Sequence, residues 1–513
     1  MIAKAAAAAL LGIDAFRVDL EVDLARQGMP AFVMVGLAEG AVREAKERVF
    51  AALKNSGFRL PPSRITVNLA PADVRKEGSA YDLPLALGLL AASGAFPAER
   101  LEGFFFAGEL SLTGELKPVE GVLPLAIRAR DEGARGLVLP VANAAEAAVV
   151  KGLPVFGAES LGLTVAFLLG EAEIEPATLD IDTLWDKRRD FLLDYADVKG
   201  QEHAKRAIEI AAAGGHNLLF IGPPGSGKTM LAQRIPTVLP PLRFEEALEV
   251  TKIYSVAGQL PRDQALIVTR PFRSPHHTIS DAGLVGGGTY PRPGEVSLSH
   301  RGVLFLDELP EFKKHALEVL RQPLEDGMVT ISRAAVALTY PADIMLVAAM
   351  NPCQCGYLTD DRHPCTCTPQ SVQRYRAKLS GPLLDRIDLQ VEVPAVPYKD
   401  LKETRGSVDS ATMRARIAKA RSVQAERYGD SGPHINSELS GSALEKHCRL
   451  SRPEHDFLEQ AVKKLGLSAR AYTRVLRIAR TIADLDGAET LAVNHLAEAI
   501  NYRSMDHQGA NGN

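Results

Sequence analysis

The chain has 513 residues, of which 46% are hydrophobic and 24% are charged. This length exceeds what one hydrophobic core normally serves, so we expect about three domains of ordinary globular composition. The net charge of −4 excludes a protein that coats nucleic acid with its whole surface, although a small internal basic element stays compatible with it.

The sequence predicts a cytoplasmic protein without a membrane partner. No apolar run approaches the roughly 20 residues that a membrane helix needs. The first residues contain a lysine and a short apolar run but no small-residue cleavage site, which argues against a signal peptide. Five cysteines, four of them clustered, do not make the disulfide framework of a secreted protein.

Residues 1–170 predict an α+β domain, because β-rich runs alternate there with helical runs. The strands are predicted near residues 16–24, 31–37, 64–70, 104–112 and 136–140, and the helices near 39–57 and 82–94. Residues 171–192 are acidic and lack clear periodicity, as expected of a linker.

Two further domains and a tail are predicted after the linker. Residues 193–395 alternate strands and helices and predict an α/β domain. Residues 396–505 predict a helical domain whose helices end near residues 428 and 465. The polar residues 506–513 predict a disordered tail.

A phosphate-binding loop follows a predicted strand in NLLFIGPPGSGKT, residues 217–229. Its glycines let consecutive backbone N–H groups turn toward phosphate oxygens, where the next helix adds its positive dipole end. Lys228 is predicted to reach the β- and γ-phosphates of ATP, and Thr229 to ligate Mg²⁺. The remaining residues predicted to surround the phosphates are Gly222, Pro223, Pro224, Gly225, Ser226 and Gly227.

Two more predicted strands end in polar residues that suit ATP hydrolysis. In VLFLDE, residues 303–308, Asp307 is predicted to hold Mg²⁺ through water and Glu308 to polarise the attacking water. In IMLVAAMN, residues 344–351, the amide of Asn351 is predicted to orient that water against the γ-phosphate. The three motifs together predict ATP hydrolysis rather than nucleotide binding alone.

Arginines further along the chain are candidates for the same reaction. A lone arginine is usually a surface charge, but in this context Arg386 in LSGPLLDRID is predicted to be an arginine finger supplied to a neighbouring subunit. Arg470, Arg474 and Arg477 share one face of a predicted helix. Two interpretations stay open: a basic face in contact with solvent, or a face from which Arg470 reaches the ATP bound at the phosphate loop.

In this order, the motifs resemble those of an AAA+ ATPase with a P-loop α/β core and a helical lid domain. Residues 198–201 resemble the segment that encloses adenine in these proteins. RPFRSPHHTISDAGLVGGG, residues 270–288, and GEVSLSHRGVLFLDELPEF resemble the magnesium-chelatase-like branch. That branch has a loop inserted before the acidic strand and a β-hairpin before the asparagine strand.

The hairpin is also visible in MVTISRAAVALTY, which is β-rich on both sides of a short turn at residues 333–335. In related hexameric helicases such a hairpin points into the ring pore with a basic tip. Arg333 is therefore a candidate contact to a DNA phosphate, and the alternative is an exposed hairpin arginine without that role.

The N-terminal region resembles the Lon-peptidase-type domain, with its S5 domain 2-like fold, in SRITVNLAPADVRKEGSAYDLPLALGLL and FFAGELSLTGELKPVEGV. Ser79 follows the KEG turn, but the catalytic serine position is shifted or occupied by another residue. The lysine position falls near Leu123, and Lys117 lies on the wrong side of Pro118. A serine without a desolvated lysine has no activator, so we predict a degenerate domain that assists ring assembly or DNA binding.

Together these features resemble the ComM/YifB family over nearly the whole chain. The resemblance implies a homo-hexameric ATP-driven helicase that acts on single-stranded and branched DNA. It would promote branch migration of heteroduplex joints in natural transformation, with recombination proteins as partners. One alternative is a magnesium chelatase motor subunit that acts on a porphyrin, although such subunits lack the Lon-type domain. The other alternative is an ATP-dependent protease.

Four cysteines lie within fifteen positions of NPCQCGYLTDDRHPCTCTP, residues 351–369. They are Cys353, Cys355, Cys365 and Cys367. The loop can fold back to offer four thiolates to one structural Zn²⁺, with His363 as a substitute ligand. Cys-x-Cys is tighter than the usual spacing, so a redox pair and free thiols stay open. The segment is predicted to brace the span between Asn351 and Arg386.

Overall fold

The computed structural model describes ten stretches of the chain, which divide into two units. The stretches are residues 2–25, 29–37, 41–181, 184–185, 192–288, 291–332, 337–360, 362–397, 408–429 and 432–503. Unit 1 comprises Met1–Lys187 and Phe244–Val268, and unit 2 comprises Arg188–Arg243 and Thr269–Asn513. Both units are mixed α/β, and within these stretches no helix is long and apolar enough to cross a membrane.

Unit 1 is built on a seven-stranded sheet with the strand order β3-β4-β2-β1-β5-β8-β9. Its strands are β1 Ile2–Leu11, β2 Asp14–Ala25, β3 Ala31–Val35, β4 Arg64–Ala70, β5 Phe104–Phe106, β8 Gly136–Pro140 and β9 Val155–Ala158. A second sheet pairs β6 Glu109–Leu110 with β7 Leu116–Lys117. The helices are Ala41–Asn55, Asp82–Ser93, Val122–Asp131, Val141–Ala147, Leu161–Leu169 and Phe244–Val256, with a 3-10 turn at Ala98–Leu101. The predicted strands and helices are confirmed, although the strand predicted over 104–112 is divided into β5 and β6.

Strand β1 was not predicted. Its sequence IAKAAAAALL favours a helix on local propensity, because alanine is the best helix former. Instead it pairs antiparallel with β2 along its whole length and parallel with β5 at Ala6↔Phe105. Helix Asp82–Ser93 packs over β1 and β2 so closely that a Cβ on Gly88 would lie 2.8 Å from Val22 Cγ2. Small side chains on β1 permit this packing, and strand pairing on both edges outweighs the local preference.

Unit 1 extends beyond the predicted domain of residues 1–170. Pro176 lies in the predicted linker but forms a β-bridge with Phe156 of β9. Residues 244–268, which the sequence placed in the ATPase domain, also belong to unit 1.

Polar contacts hold helix Phe244–Val256 in unit 1. Lys252 Nζ lies 2.6 Å from Asp14 Oδ1, and Ser255 Oγ donates to Glu146 Oε1 at 2.5 Å. Burial raises the pKa of the Glu146 carboxyl, and the hydrogen bond from Ser255 opposes that rise. These side chains explain why a segment flanked by ATPase motifs in sequence packs with the N-terminal region.

Unit 2 contains a five-stranded parallel sheet with the order β11-β14-β17-β10-β18. Its strands are β10 Leu218–Ile221, β11 Phe272–Arg273, β14 Val303–Leu306, β17 Met345–Met350 and β18 Leu389–Glu392. Two hairpins pair β12 Gly286–Gly287 with β13 Arg292–Pro293, and β15 Met328–Ser332 with β16 Ala337–Pro341. The second confirms the predicted hairpin.

The helices of unit 2 fall into two groups along the chain, one between and beside the strands of the sheet and one in the C-terminal region. The first are Glu202–Gly214, Lys228–Gln233, Asp281–Val285, Glu295–Leu298, Lys314–Val319, Arg321–Asp326, Pro369–Arg376 and Gly381–Leu384. The C-terminal helices are Ser410–Tyr428, Gly441–His447, Arg452–Leu465, Ala469–Leu485 and Val493–Asn501. Short 3-10 turns occur at Tyr195–Asp197, Ile235–Thr237, Leu309–Glu311 and Asn436–Glu438.

The C-terminal helices share one hydrophobic core with the parallel sheet. Ile417 and Val475 belong to the same buried cluster as Leu218 of β10. Gln424 Nε2 adds a hydrogen bond to the carbonyl of Ala213 at 3.1 Å. The helix ends predicted near 428 and 465 are confirmed. The tail predicted at 506–513 lies outside the described residues.

A buried ion pair in unit 1 provides a test of this fold. Asp82 is fully buried at the start of its helix and accepts hydrogen bonds from Arg48 Nε at 2.8 Å and Nη2 at 3.0 Å. Arg48→Ala leaves this carboxylate without its cation, and we expect the free energy of unfolding to fall by about 3–5 kcal/mol. Urea denaturation of the full chain measures the change. The control is Lys54→Ala, which removes an exposed cation from the helix Ala41–Asn55 that also carries Arg48. Equal effects of the two variants would contradict the prediction.

Candidate functional site

Three neighbouring parallel strands bring the predicted motifs of unit 2 to one edge of the sheet. The register pairs Ile221 of β10 with Met350 of β17, and Leu306 of β14 with Ala348 of β17. The residues that follow these strands therefore lie side by side at their carboxyl ends. In open α/β sheets this edge is where ligands bind.

The loop after β10 requires glycine at two positions for different reasons. A Cβ on Gly222 would lie 2.1 Å from the carbonyl oxygen of Val393, so only glycine fits there. Gly227 has a φ of 92° directly before helix Lys228–Gln233, a conformation that other residues rarely adopt. The loop thus turns sharply into a helix N-terminus.

The Lys228 ammonium lies inside this loop. Its Nζ donates to the carbonyls of Gly222 at 2.7 Å and Pro223 at 2.9 Å, and to Asn351 Oδ1 at 3.3 Å. Burial lowers the pKa of Lys228, although the carboxylates of the acidic strand oppose this. The structure therefore brings together the predicted lysine and the predicted asparagine.

Thr229 and the acidic pair form the second part of the site. Thr229 Oγ1 donates to Asp307 Oδ2 at 2.7 Å, and the Glu308 backbone N–H donates to Asp307 Oδ1 at 2.9 Å. Glu308 has a left-handed φ of 54°, which turns it away from the direction of β14. Its Oε2 lies 3.2 Å from Nδ1 of His277, a contact that the sequence did not predict.

These residues fit a nucleoside triphosphate with its magnesium ion. The buried Ser226 Oγ has no hydrogen-bond partner among the described residues, as expected of a group that awaits a ligand. Thr229 and Asp307 supply the hydroxyl and carboxylate oxygens that Mg²⁺ prefers. Lys228 and the loop N–H groups supply positive charge where the phosphates would lie.

The predicted adenine segment lies directly beside the loop. Gln201 has a left-handed φ of 61° before helix Glu202–Gly214, and its Nε2 donates to the carbonyls of Ser226 at 3.3 Å and Pro394 at 2.6 Å. Lys205 Nζ donates to the carbonyl of Val198 at 2.8 Å. Gln201 is thus fixed between the phosphate loop and Pro394, and Val198 is held by Lys205.

The predicted arginines lie at the other edge of the sheet. A cavity of about 570 Å³ is lined by Asn217, Ile344 and Asp388, which directly precede β10, β17 and β18. The same cavity is lined by Arg386, Arg470, Arg474 and Arg477. The amino ends of the strands thus carry four arginines, whereas the carboxyl ends carry the phosphate loop.

Each of these arginines has a partner within unit 2. Arg386 is buried, and its Nη2 lies 2.5 Å from Glu325 Oε2. Arg470 is 63% exposed and its Nη1 lies 3.9 Å from Asp385 Oδ2. The other two are more buried: Arg474 Nε lies 3.5 Å from Asp388 Oδ1, and Arg477 Nε donates to Leu439 O at 2.6 Å.

The four clustered cysteines converge beside the phosphate loop. All four Sγ atoms lie within 4.8 Å of one another. Cys353 Sγ lies 3.3 Å from Cys355 Sγ and 3.7 Å from Cys365 Sγ, and the Cys355–Cys365 distance is 3.6 Å. The backbone N–H groups of Tyr357 and Thr366 lower the pKa of the Cys355 thiol to about 5. His363 does not belong to the cluster; its Nδ1 lies 3.2 Å from Asp360 Oδ2.

The cysteine loop packs directly against the nucleotide edge. Gly356 has a φ of 90°, and a Cβ there would lie 2.7 Å from Pro224 Cδ and 3.9 Å from Asn351 Cγ. Cys353, two residues after Asn351, is fully buried. The cysteine loop is therefore a direct neighbour of both the phosphate loop and Asn351.

The remaining predicted positions are Arg333 in unit 2 and the peptidase positions of unit 1. Arg333 belongs to residues 333–336, which connect β15 to β16 and lie outside the described residues. In unit 1, the predicted peptidase lysine position holds the fully buried Leu123, and Lys117 is exposed with its Nζ 2.8 Å from Glu115 Oε2.

Three family models match the chain. Their descriptions are "Subunit ChlI of Mg-chelatase" for residues 20–143, "Magnesium chelatase, subunit ChlI" for 194–401 and "Magnesium chelatase, subunit ChlI C-terminal" for 407–503. The N-terminal match thus carries a magnesium-chelatase description, and the Lon-type resemblance of that region stays a prediction.

Similar proteins cover almost the entire chain. Competence protein ComM of Haemophilus influenzae is 47% identical over 503 residues, 97% of this chain and 96% of its own length. YifB of Escherichia coli strain K12 is 44% identical over 500 residues, 97% of this chain and 96% of its own length. The magnesium-chelatase 38 kDa subunit of Cereibacter sphaeroides is 22% identical over 321 residues, 59% of this chain and 88% of that subunit.

The phosphate loop, the acidic strand and the asparagine meet at one edge of a parallel sheet, and two relatives match nearly end to end. The chain therefore belongs to the ComM/YifB family of magnesium-chelatase-like AAA+ ATPases.

Proposed function

We propose that this chain is the subunit of a hexameric, ATP-driven DNA motor that promotes branch migration of heteroduplex DNA in natural transformation. The observation that carries the proposal is the meeting of Lys228, Asn351 and the Thr229–Asp307 pair at one sheet edge. The name of the ComM relative, a competence protein, supports the biological setting.

Binding and hydrolysis are divided among the residues of this edge. Lys228 and the loop N–H groups would hold the phosphates, and Thr229 with Asp307 would hold Mg²⁺, which would neutralise phosphate charge. Glu308 polarises the attacking water as general base. Asn351, fixed 3.3 Å from Lys228 Nζ, orients that water.

The position of the arginines supports a ring of subunits. Arg386 lines a cavity at the amino ends of the strands, whereas the phosphate loop follows the carboxyl end of β10. We therefore assign Arg386 to the nucleotide of a neighbouring subunit. Head-to-tail contacts can close into a ring, and in the proposed ring the amino edge of one subunit faces the nucleotide of the next. Arg470 lines the same cavity and is 63% exposed, so we assign it to that neighbouring nucleotide rather than to its own.

DNA contact is assigned to the β15–β16 hairpin. Its two strands form a separate two-stranded sheet, and Arg333 is at the turn between them. Six such arginines around a pore would reconcile DNA binding with a net charge of −4 per chain.

Unit 1 is assigned a supporting role as a degenerate Lon-type domain. Peptidase activity is not expected, because the lysine position holds the buried Leu123 and because Lys117 is paired with Glu115. Helix Phe244–Val256 belongs to unit 1 although ATPase motifs flank it in sequence, so the chain passes between the two units three times rather than once.

The first test measures ATP-driven branch movement. With ATP and Mg²⁺ the purified chain should resolve a labelled branched DNA joint on a gel, and with a non-hydrolysable analogue it should not. Glu308→Gln should retain ATP binding but lose hydrolysis by roughly 10²–10⁴-fold, because the general base is gone. Lys228→Ala should lose nucleotide binding.

The outcome also separates the motor from a magnesium chelatase subunit, the candidate favoured by the descriptions of the family models. ATP hydrolysis that ignores DNA but responds to a chelatase partner and a porphyrin would contradict the motor.

The second test concerns the hairpin. Arg333→Ala should weaken single-stranded DNA binding and reduce the slope of log affinity against log salt concentration by about 0.7 for each phosphate contact removed. Basal ATP hydrolysis should stay close to wild type. The exposed Arg449→Ala is the matched control, since it removes the same charge elsewhere in unit 2. Unchanged DNA affinity in Arg333→Ala would remove the hairpin from the DNA-binding surface.

We also propose that the cysteine cluster binds one Zn²⁺. Four thiolates at about 2.3 Å from a tetrahedral zinc lie about 3.8 Å apart. The three measured Sγ–Sγ distances of 3.3–3.7 Å are close to that value. Such a site would fix the loop that packs on Pro224 and Asn351.

The third test is metal analysis of the purified chain. We expect close to one zinc per chain, and its loss in Cys355→Ser and Cys367→Ser, because three thiolates with one hydroxyl hold zinc less tightly. Cys448→Ser is the control, since Cys448 is buried elsewhere, 3.8 Å from the carbonyl of Leu476. Absence of metal with four titratable thiols would favour free cysteines, and a disulfide found by mass spectrometry would favour the redox pair.

A further inference from the structure

Asn351 lies at the point where the chain leaves the parallel sheet. The last paired residues are Ile221 of β10 and Met350 of β17, and the backbone N–H of Gly222 donates to the carbonyl of Met350 at 3.2 Å. Asn351 follows beyond this register, and Pro352 after it has no backbone N–H. The main chain of Asn351 therefore needs a partner outside the sheet, because backbone polar groups away from water are almost always paired.

The helix Pro369–Arg376 supplies partners for this part of the chain. The backbone N–H of Asn351 donates to the hydroxyl oxygen of Tyr375. The next side chain of the helix, Arg376, donates from Nε to the carbonyl of Pro352 at 3.4 Å. Two successive side chains of the helix thus hold the two successive residues that follow β17.

The ring of Tyr375 is itself fixed in place. Tyr375 is 7% exposed, and the Lys378 ammonium lies 5.5 Å from the centroid of its ring. Lys378 Nζ also lies 2.9 Å from Glu311 Oε1, in the 3-10 turn that follows Glu308. Tyr375 is therefore anchored to the segments after both β14 and β17, the strands that lead to Glu308 and Asn351.

The Tyr375 hydroxyl keeps its proton over the physiological range of pH. Burial and the nearby carboxylate of Glu311 raise the pKa of Tyr375 to about 12, although the Asn351 N–H opposes that rise. A neutral phenol retains its O–H donor while its oxygen accepts from a backbone N–H. The contact with Asn351 is therefore independent of pH over this range.

The direction of the Asn351 amide depends on where its main chain lies. The side-chain Oδ1 accepts from Lys228 Nζ at 3.3 Å, inside the phosphate loop. On the side of the cysteine loop, a Cβ on Gly356 would lie 3.9 Å from Asn351 Cγ. A shift of the main chain by about 1 Å would carry the amide with it, and misplacement of that size is enough to slow catalysis.

We propose that Tyr375 is a positioning residue for ATP hydrolysis, whose hydroxyl fixes the main chain of Asn351 so that the amide faces the γ-phosphate. Tyr375 acts through Asn351 and does not contact the nucleotide itself. The inference deepens the proposed function and rests on the role assigned there to Asn351. It does not rest on DNA as the partner, because it concerns only the hydrolysis step.

Tyr375→Phe tests this role, because it removes the hydroxyl and keeps the buried ring. In the full-length protein we expect kcat for ATP hydrolysis to fall about three- to tenfold, the range for loss of one hydrogen bond. KM for ATP should stay within about twofold of wild type, since Lys228 and the phosphate loop are intact. Steady-state kinetics with Mg²⁺ and varied ATP gives both constants, and an unchanged kcat overturns the proposal.

A double-mutant cycle with Asn351→Ala separates positioning from a structural role. Asn351→Ala removes the amide that the hydroxyl is proposed to position, so adding Tyr375→Phe should reduce kcat no further. A hydroxyl that only stabilised the fold would lower kcat by the same factor in both backgrounds. That result would overturn the positioning role.

Tyr357→Phe is the matched control. Tyr357 lies in the cysteine loop, where its ring packs against that of His363 with centroids 5.0 Å apart. The variant removes a phenolic hydroxyl from the same part of the chain but leaves Tyr375 and its contact with Asn351 in place. Its kcat should equal that of wild type, and a loss equal to that of Tyr375→Phe would overturn the proposal. Binding of a fluorescent ATP analogue and urea denaturation verify that each variant keeps its nucleotide site and its fold.

The failures of the two proposals are distinguishable. Wild-type kcat in Tyr375→Phe together with a large loss in Asn351→Ala overturns the positioning role alone. Wild-type kcat in Asn351→Ala contradicts the role of Asn351 in the proposed function, and this inference with it. Hydrolysis that does not respond to DNA contradicts the motor, whereas a loss confined to the Asn351 background would still establish the role of Tyr375.

Discussion

The parallel register of β10, β14 and β17 is the constraint on which the rest of unit 2 depends. Because Ile221 pairs with Met350 and Leu306 with Ala348, three loops far apart in sequence begin at the same edge. The Lys228 ammonium then reaches the loop carbonyls and Asn351 together. A one-residue slip in either pairing would separate these groups by about 3.3 Å and turn neighbouring side chains to the opposite face.

The same parallel sheet also separates two groups of residues that the proposed ring assigns to different subunits. Strands of four to six residues put the phosphate loop at one edge and a cavity with four arginines at the other. Arg386 is neutralised there by Glu325 at 2.5 Å, so a buried cation is stabilised before any neighbour is present. An isolated subunit can thus fold completely and still lack part of the proposed catalytic machinery.

Two irregular segments converge on the nucleotide edge. The cysteine loop approaches from the Asn351 side and packs Gly356 on Pro224. The inserted loop approaches from the acidic strand and places His277 on Glu308. The first segment gathers four thiols within 4.8 Å of one another, and the second contains ion pairs such as Arg273–Glu295. Such segments suit regulation because they can move without unfolding the sheet.

The sequence by itself determined the strands and helices with strong periodicity, the phosphate loop and the acidic strand. These depend on local chemistry: glycine freedom, apolar runs and charges at strand ends. It also predicted the hairpin from β-rich residues on both sides of a turn. The PHH motif was visible in the sequence, but nothing local indicated that His277 would meet Glu308, thirty-one positions away.

Only the tertiary structure decided the remaining features. An alanine-rich start became β1 because pairing with β2 and β5 outweighs the helix propensity of alanine. Residues 244–268 joined unit 1 through contacts such as Ser255–Glu146, which no local pattern encodes. Arg470 lines the same cavity as Arg386 and does not lie beside its own phosphate loop. Long-range packing decides which edge of the sheet the helix of Arg470 faces. Side-chain type is a local property, whereas the neighbour that a side chain meets depends on how distant segments pack.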